Sequence, residues 1–123
     1  MRALVIDDSR AVRLVIGGFL REMQIEVAEA ANGEEGLCRL RELPDVQLVL
    51  VDWNMPVLDG LEFLRAVRAD RAYDAVRVVM VTTETESEQV ARALAAGAND
   101  YVMKPFTREV LAAKLALLDV PGA

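Results

Sequence analysis

The chain has 123 residues, 54% of them hydrophobic and 28% charged, which is ordinary globular usage with room for one domain, 1–123, and not for two. Lysine and arginine number 14 against 20 acids, and the resulting net charge of −6 argues against nucleic acid as a direct partner. The chain contains no histidine and one cysteine, Cys38, which excludes a histidine general base, a Ser–His–Asp triad, histidine metal ligands and an internal disulfide, and leaves only oxygen-ligated cations.

Short apolar runs alternate with amphipathic stretches along the chain. The first run, Ala3–Ile6, predicts a strand that ends on Asp7 and Asp8. Val12, Val15, Ile16, Phe19 and Leu20 then give a helix one apolar stripe. Gly17 and Gly18 inside it each cost about 1 kcal/mol against alanine, and are read as close helix–sheet packing. Ile25–Ala28 alternates with polar residues, as an exposed edge strand does. Asn32 with Glu35 has the spacing of a capping box at the start of a second helix, which Pro44 closes. Cys38 lies in that helix beside Leu37 and Leu40 and is read as a small apolar residue. Val46–Val51 is a nearly continuous apolar run that ends on Asp52, and Asp59 with Glu62 starts a third helix. Val78–Val81 leads to Thr82 and Thr83, and Thr85 with Glu88 has capping-box spacing before a fourth helix that Gly97 closes. Tyr101–Met103 leads to Lys104, and a fifth helical pattern runs from Thr107 to Leu118. No apolar run approaches the ~18–20 residues of a membrane span, and the early acids interrupt any leader-like stretch. The expectation is a soluble cytoplasmic protein without membrane insertion.

Five β–α units imply a parallel sheet with helices on both faces. Ligands of such sheets bind beyond the carboxyl ends of the strands, at the switch point between the first and third. The residues at those ends are Asp7, Asp8, Asp52, Thr82, Thr83 and Lys104. Three carboxylates at one edge repel, and a hard divalent cation such as Mg2+ relieves the repulsion while leaving room for a phosphate oxygen. Lys104 adds a cation across the same cleft. An aspartate carboxylate can attack phosphorus, and phosphoryl transfer needs positioning and charge neutralisation rather than acid–base groups. Taken singly, Asp7 or Asp8 reads as a helix cap, Thr82 as a strand residue and Lys104 as a solvated charge; their convergence at one sheet edge is what points to chemistry.

These residues fall in Val5-Ile6-Asp7-Asp8-Ser9, Val51-Asp52-Trp53-Asn54-Met55-Pro56, Asp59-Gly60, Val79-Met80-Val81-Thr82 and Lys104-Pro105-Phe106. In those motifs, and in their spacing over essentially the whole chain, the sequence resembles the response-regulator receiver domains of two-component signalling. The resemblance implies an α/β flavodoxin-like (βα)5 fold with a parallel sheet of order 2-1-3-4-5. It implies a signalling switch rather than an enzyme, one that assists its own phosphorylation and dephosphorylation. Asp52 would be the phosphoacceptor, with Mg2+ bound by the Asp8 and Asp52 carboxylates and the Asn54 backbone carbonyl, and by Asp7 largely through water. Thr82 and Lys104 would bind the phosphoryl group, and the Lys104-Pro105 peptide would be cis. Partners would be a histidine kinase or phosphotransfer protein and a downstream protein target. Trp53-Asn54, Glu84 and Tyr101 make the chain most similar to stand-alone chemotaxis-type regulators, in which the threonine and the aromatic ring switch together and reshape the face of helix 4, strand 5 and helix 5. Trp53 is expected as a half-exposed aromatic beside the pocket. One departure is Thr83, where relatives commonly carry Ala, Ser or Gly; it bears on access to Asp52 and on the lifetime of the phosphorylated state.

Three other readings fit less well. A haloacid-dehalogenase phosphatase would place an Asp-x-Asp nucleophile after the first strand and carry a cap, and a flavodoxin would have a hydroxyl- and glycine-rich phosphate loop where Asp7 and Asp8 stand. A pseudo-receiver scaffold would lack one of the acidic or phosphate-binding residues, and none is missing. The chain ends just after the fifth helical pattern, where a stand-alone receiver would stop or an output domain would follow.

Overall fold

A computed structural model describes residues 1–83 and 87–120, without the side chains of residues 87 and 88. In chain order the elements are β1 (Arg2–Ile6), α1 (Arg10–Glu22), β2 (Glu26–Ala30), α2 (Gly33–Glu42), β3 (Val46–Asp52) and α3 (Gly60–Ala69). A 3-10 turn (Arg71–Tyr73) precedes β4 (Arg77–Thr82), α4 (Ser87–Ala95), β5 (Asp100–Met103) and α5 (Arg108–Leu117). The five strands are parallel and ordered β2-β1-β3-β4-β5, which is the flavodoxin-like order the motifs implied.

The apolar runs divide between two faces because successive strand residues point to opposite sides. Leu4, Ile6, Val49, Val51, Val78 and Met80 face Phe63, Leu64 and Val67 of α3 and Leu40 of α2. Ala3, Val5, Leu48, Leu50, Val79 and Val81 face Ile16 and Leu20 of α1 and Leu111 and Leu115 of α5. Each fully buried aliphatic side chain of this kind contributes about 1.5–3 kcal/mol relative to exposure, so the two layers hold the central strands from both sides. The carboxyl ends of those strands therefore sit on a rigid support.

Helix starts are capped largely as the spacing predicts. Asp59 and Glu62 form a complete capping box on α3, and Asn32 accepts from the Glu35 backbone N–H. The Thr85–Glu88 pair lies outside the described residues. Ser9 and Thr107 cap α1 and α5 by accepting from Val12 and Val110, two caps the sequence reading did not single out. Gly97 follows α4 with φ +110°, and a Cβ there would stand 2.8 Å from Arg68 Cγ. The Arg68 guanidinium in turn donates to the carbonyls of Tyr73, Val76 and Gly97 and to Asn99 Oδ1, closing the end of the domain opposite the acidic residues.

Several expectations are corrected. Cys38 is exposed, because α2 turns Gly33, Gly36 and Leu40 to the sheet and position 38 falls on its outer side. Val15 is 55% exposed, since Ile16, Gly17 and Leu20 form the inner face of α1; with Phe19, Pro105 and Phe106 it lines an apolar groove of ≈ 260 Å³. Of the glycine pair only Gly17 packs closely, with an added Cβ 3.5 Å from Val27, whereas Gly18 has nothing within 4 Å. The edge strand is shifted forward from Ile25–Ala28 to Glu26–Ala30, because its parallel ladder with β1 runs until Ile6 meets Ala30.

Candidate phosphoacceptor site at the carboxyl edge of the sheet

The strand register gathers the site. Ile6 pairs with Val51 across β1 and β3, so the next residues, Asp7 and Asp52, emerge side by side. Asp52 pairs with Val81 on β4, and Thr82 pairs with Met103 on β5, placing Lys104 at the same edge. The ladder continues just past the strand ends: Asp7 N–H donates to Ala30 O at 3.1 Å, Trp53 N–H to Val81 O at 3.0 Å and Lys104 N–H to Thr82 O at 2.7 Å. These bonds hold the backbone of each site residue beside its neighbour's.

Gly60 lets α3 start against the end of β3. A Cβ on it would lie 2.4 Å from the Asp52 carbonyl and 3.0 Å from Trp53 Cα, so only glycine permits this approach without a shift. The Gly60 N–H also donates to Trp53 O at 3.0 Å.

Asp7, Asp52 and Thr82 are the buried polar side chains among the described residues, and all three belong to this edge. Asp8 is exposed at its rim. One carboxylate oxygen from each of Asp7, Asp8 and Asp52 can be chosen so that all lie within 4.8 Å of one another. Lys104 Nζ lies 2.8 Å from Asp7 Oδ2 and 3.4 Å from Asp52 Oδ1. One ammonium therefore bridges two of the three carboxylates. Burial, reinforced by the neighbouring Asp7 charge, raises the Asp52 pKa from 3.8 to about 6 against the opposing pull of Lys104. For Lys104 burial acts to lower the pKa, but the bonds and charges of Asp7 and Asp52 outweigh it and hold the ammonium above its usual range.

Such a cluster of hard oxygen donors suits a divalent cation, and the residues fit one. Asp7 and Asp52 present buried oxygens, Asp8 contributes from the solvent side, and Asn54 lies exposed in the turn directly after β3. Asp7 is also more than a cap: its Oδ1 accepts the Ser9 N–H at 2.9 Å, while Ser9 itself caps α1. Lys104-Pro105 is cis, as the motif implied. Thr82 is buried beside Asp52, and Tyr101, half-buried on β5, has Lys114 Nζ 4.5 Å from its ring centroid. Trp53 corrects an expectation: it is 8% exposed and belongs to the core layer under α3, because the Trp53–Gly60 contact folds the turn over it.

The sequence reading missed two further features of the site. Arg13 donates to the Asp7 carbonyl at 2.6 Å; its placement near the start of α1, six residues after Asp7, was the available signal. Val57 adopts φ +71° while 72% exposed in the β3–α3 turn. A β-branched residue rarely takes that conformation, and nothing in the pattern marks it.

Residues 3–116 match the family model of the response regulator receiver domain. The chain is 42% identical over 116 residues to a chemotaxis protein CheY homolog of Campylobacter jejuni, covering 94% of this chain and 89% of that one. It is 40% identical over 119 residues to chemotaxis protein CheY1 of Helicobacter pylori, covering 96% of each. Among solved structures it is similar to the chemotaxis response regulator CheY4 of Vibrio cholerae, with TM-score 0.88, 34% identity and coverage of 95% of this chain and 97% of that one.

Proposed function

This chain belongs to the response regulator receiver domain family, and on that premise we propose that it is a phosphorylation switch whose acceptor is Asp52. The observation that carries the proposal is the placement of Asp52: buried at the end of a central strand, 3.4 Å from the Lys104 ammonium and flanked by Asp7 and Asp8. The donor is a histidine kinase or phosphotransfer protein. An Asp52 carboxylate oxygen attacks phosphorus, and the bond between phosphorus and the donor imidazole nitrogen breaks as the new P–O bond forms. Attack needs Asp52 deprotonated, and a pKa of about 6 leaves it so at neutral pH.

Asp7, Asp8, Asp52 and the Asn54 backbone carbonyl would hold Mg2+, which when bound neutralises the carboxylates and the incoming phosphoryl oxygens. Lys104 shifts from Asp7 towards the phosphoryl group, and the Thr82 hydroxyl donates to one of its oxygens. We place this exchange in the cytoplasm, consistent with a single unpaired, exposed thiol at Cys38.

The downstream target reads the face of α4, β5 and α5. Thr82 turning inward opens space behind β4 into which the Tyr101 ring rotates, leaving Lys114 and the surface between α4 and α5. Moving a switch from mostly off to mostly on takes about 5.5 kcal/mol of differential interaction. One charge-assisted hydrogen bond supplies about 1.5–3 kcal/mol, so Thr82 and Lys104 must act together. Amide chemical shifts with and without a beryllofluoride mimic test this. The wild type should shift at Tyr101 and along α4, Thr82→Ala weakly, and Lys104→Ala almost not at all. Full wild-type shifts in Thr82→Ala would remove the threonine–tyrosine coupling.

A further inference from the structure

Every polar group of Asp7 is tied down. Its N–H bonds Ala30 O at 3.1 Å, its Oδ1 accepts from Ser9 N–H at 2.9 Å and its Oδ2 from Lys104 Nζ at 2.8 Å. Its carbonyl accepts from Arg13 Nη1 at 2.6 Å. That last bond fixes the plane of the Asp7–Asp8 peptide. Asp8 differs: it is exposed, and no described residue hydrogen-bonds or ion-pairs with its carboxylate, so the backbone is what sets the point and direction from which its side chain reaches the cluster.

The Arg13 guanidinium is itself fixed. Its Nε donates to Glu29 Oε1 at 3.0 Å, its side chain is only 15% exposed, and the Glu29 carbonyl is bonded by Arg39 Nε at 3.3 Å. The planar fork of an arginine can hold a carboxylate with one arm and a carbonyl with another, which a lysine cannot do from one nitrogen in the same geometry.

We infer that Arg13 is a positioning residue for the cation site: braced by Glu29, it locks the Asp7–Asp8 peptide and thereby aims the Asp8 carboxylate at Asp52. This rests on the Mg2+ site proposed above and adds to it the residue that preorganises it. The competing view is that the Arg13–Glu29 pair merely fastens α1 to β2.

Mg2+ titration by calorimetry, beside urea unfolding without divalent cation, separates the two. Residues that orient metal ligands from behind typically carry about 10–100-fold in metal affinity. Arg13→Ala should therefore weaken Mg2+ binding about tenfold, with Arg13→Lys in between. Arg2→Ala removes ion pairs that tie β1 to Glu26 of β2 and to Asp45 at the opposite edge, and should leave Mg2+ affinity unchanged. In an Asp8→Ala background, adding Arg13→Ala should have little further effect, because the residue it aims is gone. Unchanged affinity in Arg13→Ala or Arg13→Lys, beside a wild type that binds, overturns the inference alone, and so does a full tenfold loss on top of Asp8→Ala. A wild type that gives no Mg2+ signal overturns the metal reading and the inference together. Should Arg13→Ala not fold, Arg13→Lys decides.

Discussion

Lys104 and Asp7 stand 97 residues apart in the chain and 2.8 Å apart in the fold, and the same ammonium is 3.4 Å from Asp52. The cation thus rests on the neighbour of the acceptor while staying within reach of the acceptor itself. Its range is raised by these two carboxylates, so its charge persists at any working pH. That arrangement lets one side chain neutralise the resting site and still be available to a phosphoryl group.

Removing Lys104 leaves the buried Asp7 and Asp52 unneutralised. Lys104→Ala should lose about 1–3 kcal/mol at pH 7 without divalent cation, less than for a fully buried pair because the lysine keeps some solvent contact. The Asp52 pKa should rise further, since the Lys104 charge and hydrogen bond are what hold it down. Urea unfolding and carboxyl titration by NMR measure both effects.

Asp52 works against stability in the cation-free protein. Its folded pKa of about 6 exceeds the unfolded value, so the native state binds its proton more tightly and stability falls as pH rises from about 4 through about 6. Above that window the carboxylate costs about 3 kcal/mol. Asp52→Asn should raise the urea midpoint at pH 7.5, and the gain should vanish towards pH 4. Asp8→Ala should likewise be no less stable than wild type near neutrality; a clear loss would mark Asp8 as a structural cap.

The strands and the residues at their ends were legible because apolar runs and the acids, hydroxyls and lysine that follow them are local patterns, whereas the sheet order came from the family resemblance of the motifs. Burial within a helix was less legible: Val15 is one step round from buried Ile16 and Cys38 two steps from buried Leu40, and only the packed sheet decides which side is covered. Trp53 was misjudged because its burial depends on the contact with Gly60 across a turn. Arg13 escaped notice because its partners, Asp7 and Glu29, come from two different strand ends.

Gly60→Ala tests how closely the third helix must approach the acceptor. Its Cβ would stand 2.4 Å from the Asp52 carbonyl, so backbone rather than a flexible side chain must yield. A loss of about 1–3 kcal/mol is expected by urea unfolding, together with slower phosphorylation of Asp52.

Thr83 follows Thr82 directly after β4 and is exposed. Thr83→Ala should open access, raising the rate of phosphorylation by acetyl phosphate and shortening the lifetime of the product, each several-fold. Stopped-flow fluorescence of Trp53, which adjoins Asp52, would follow both phases; identical rates would remove steric gating by Thr83.

The chemistry proposed for Asp52 is tested most directly by intact mass spectrometry after brief incubation with acetyl phosphate and Mg2+. The expected result is one added phosphoryl group on the wild type, none when Mg2+ is chelated and none in Asp52→Asn. Phosphoryl label persisting in Asp52→Asn, or a wild type that takes up none, would contradict the assignment of Asp52 as the acceptor.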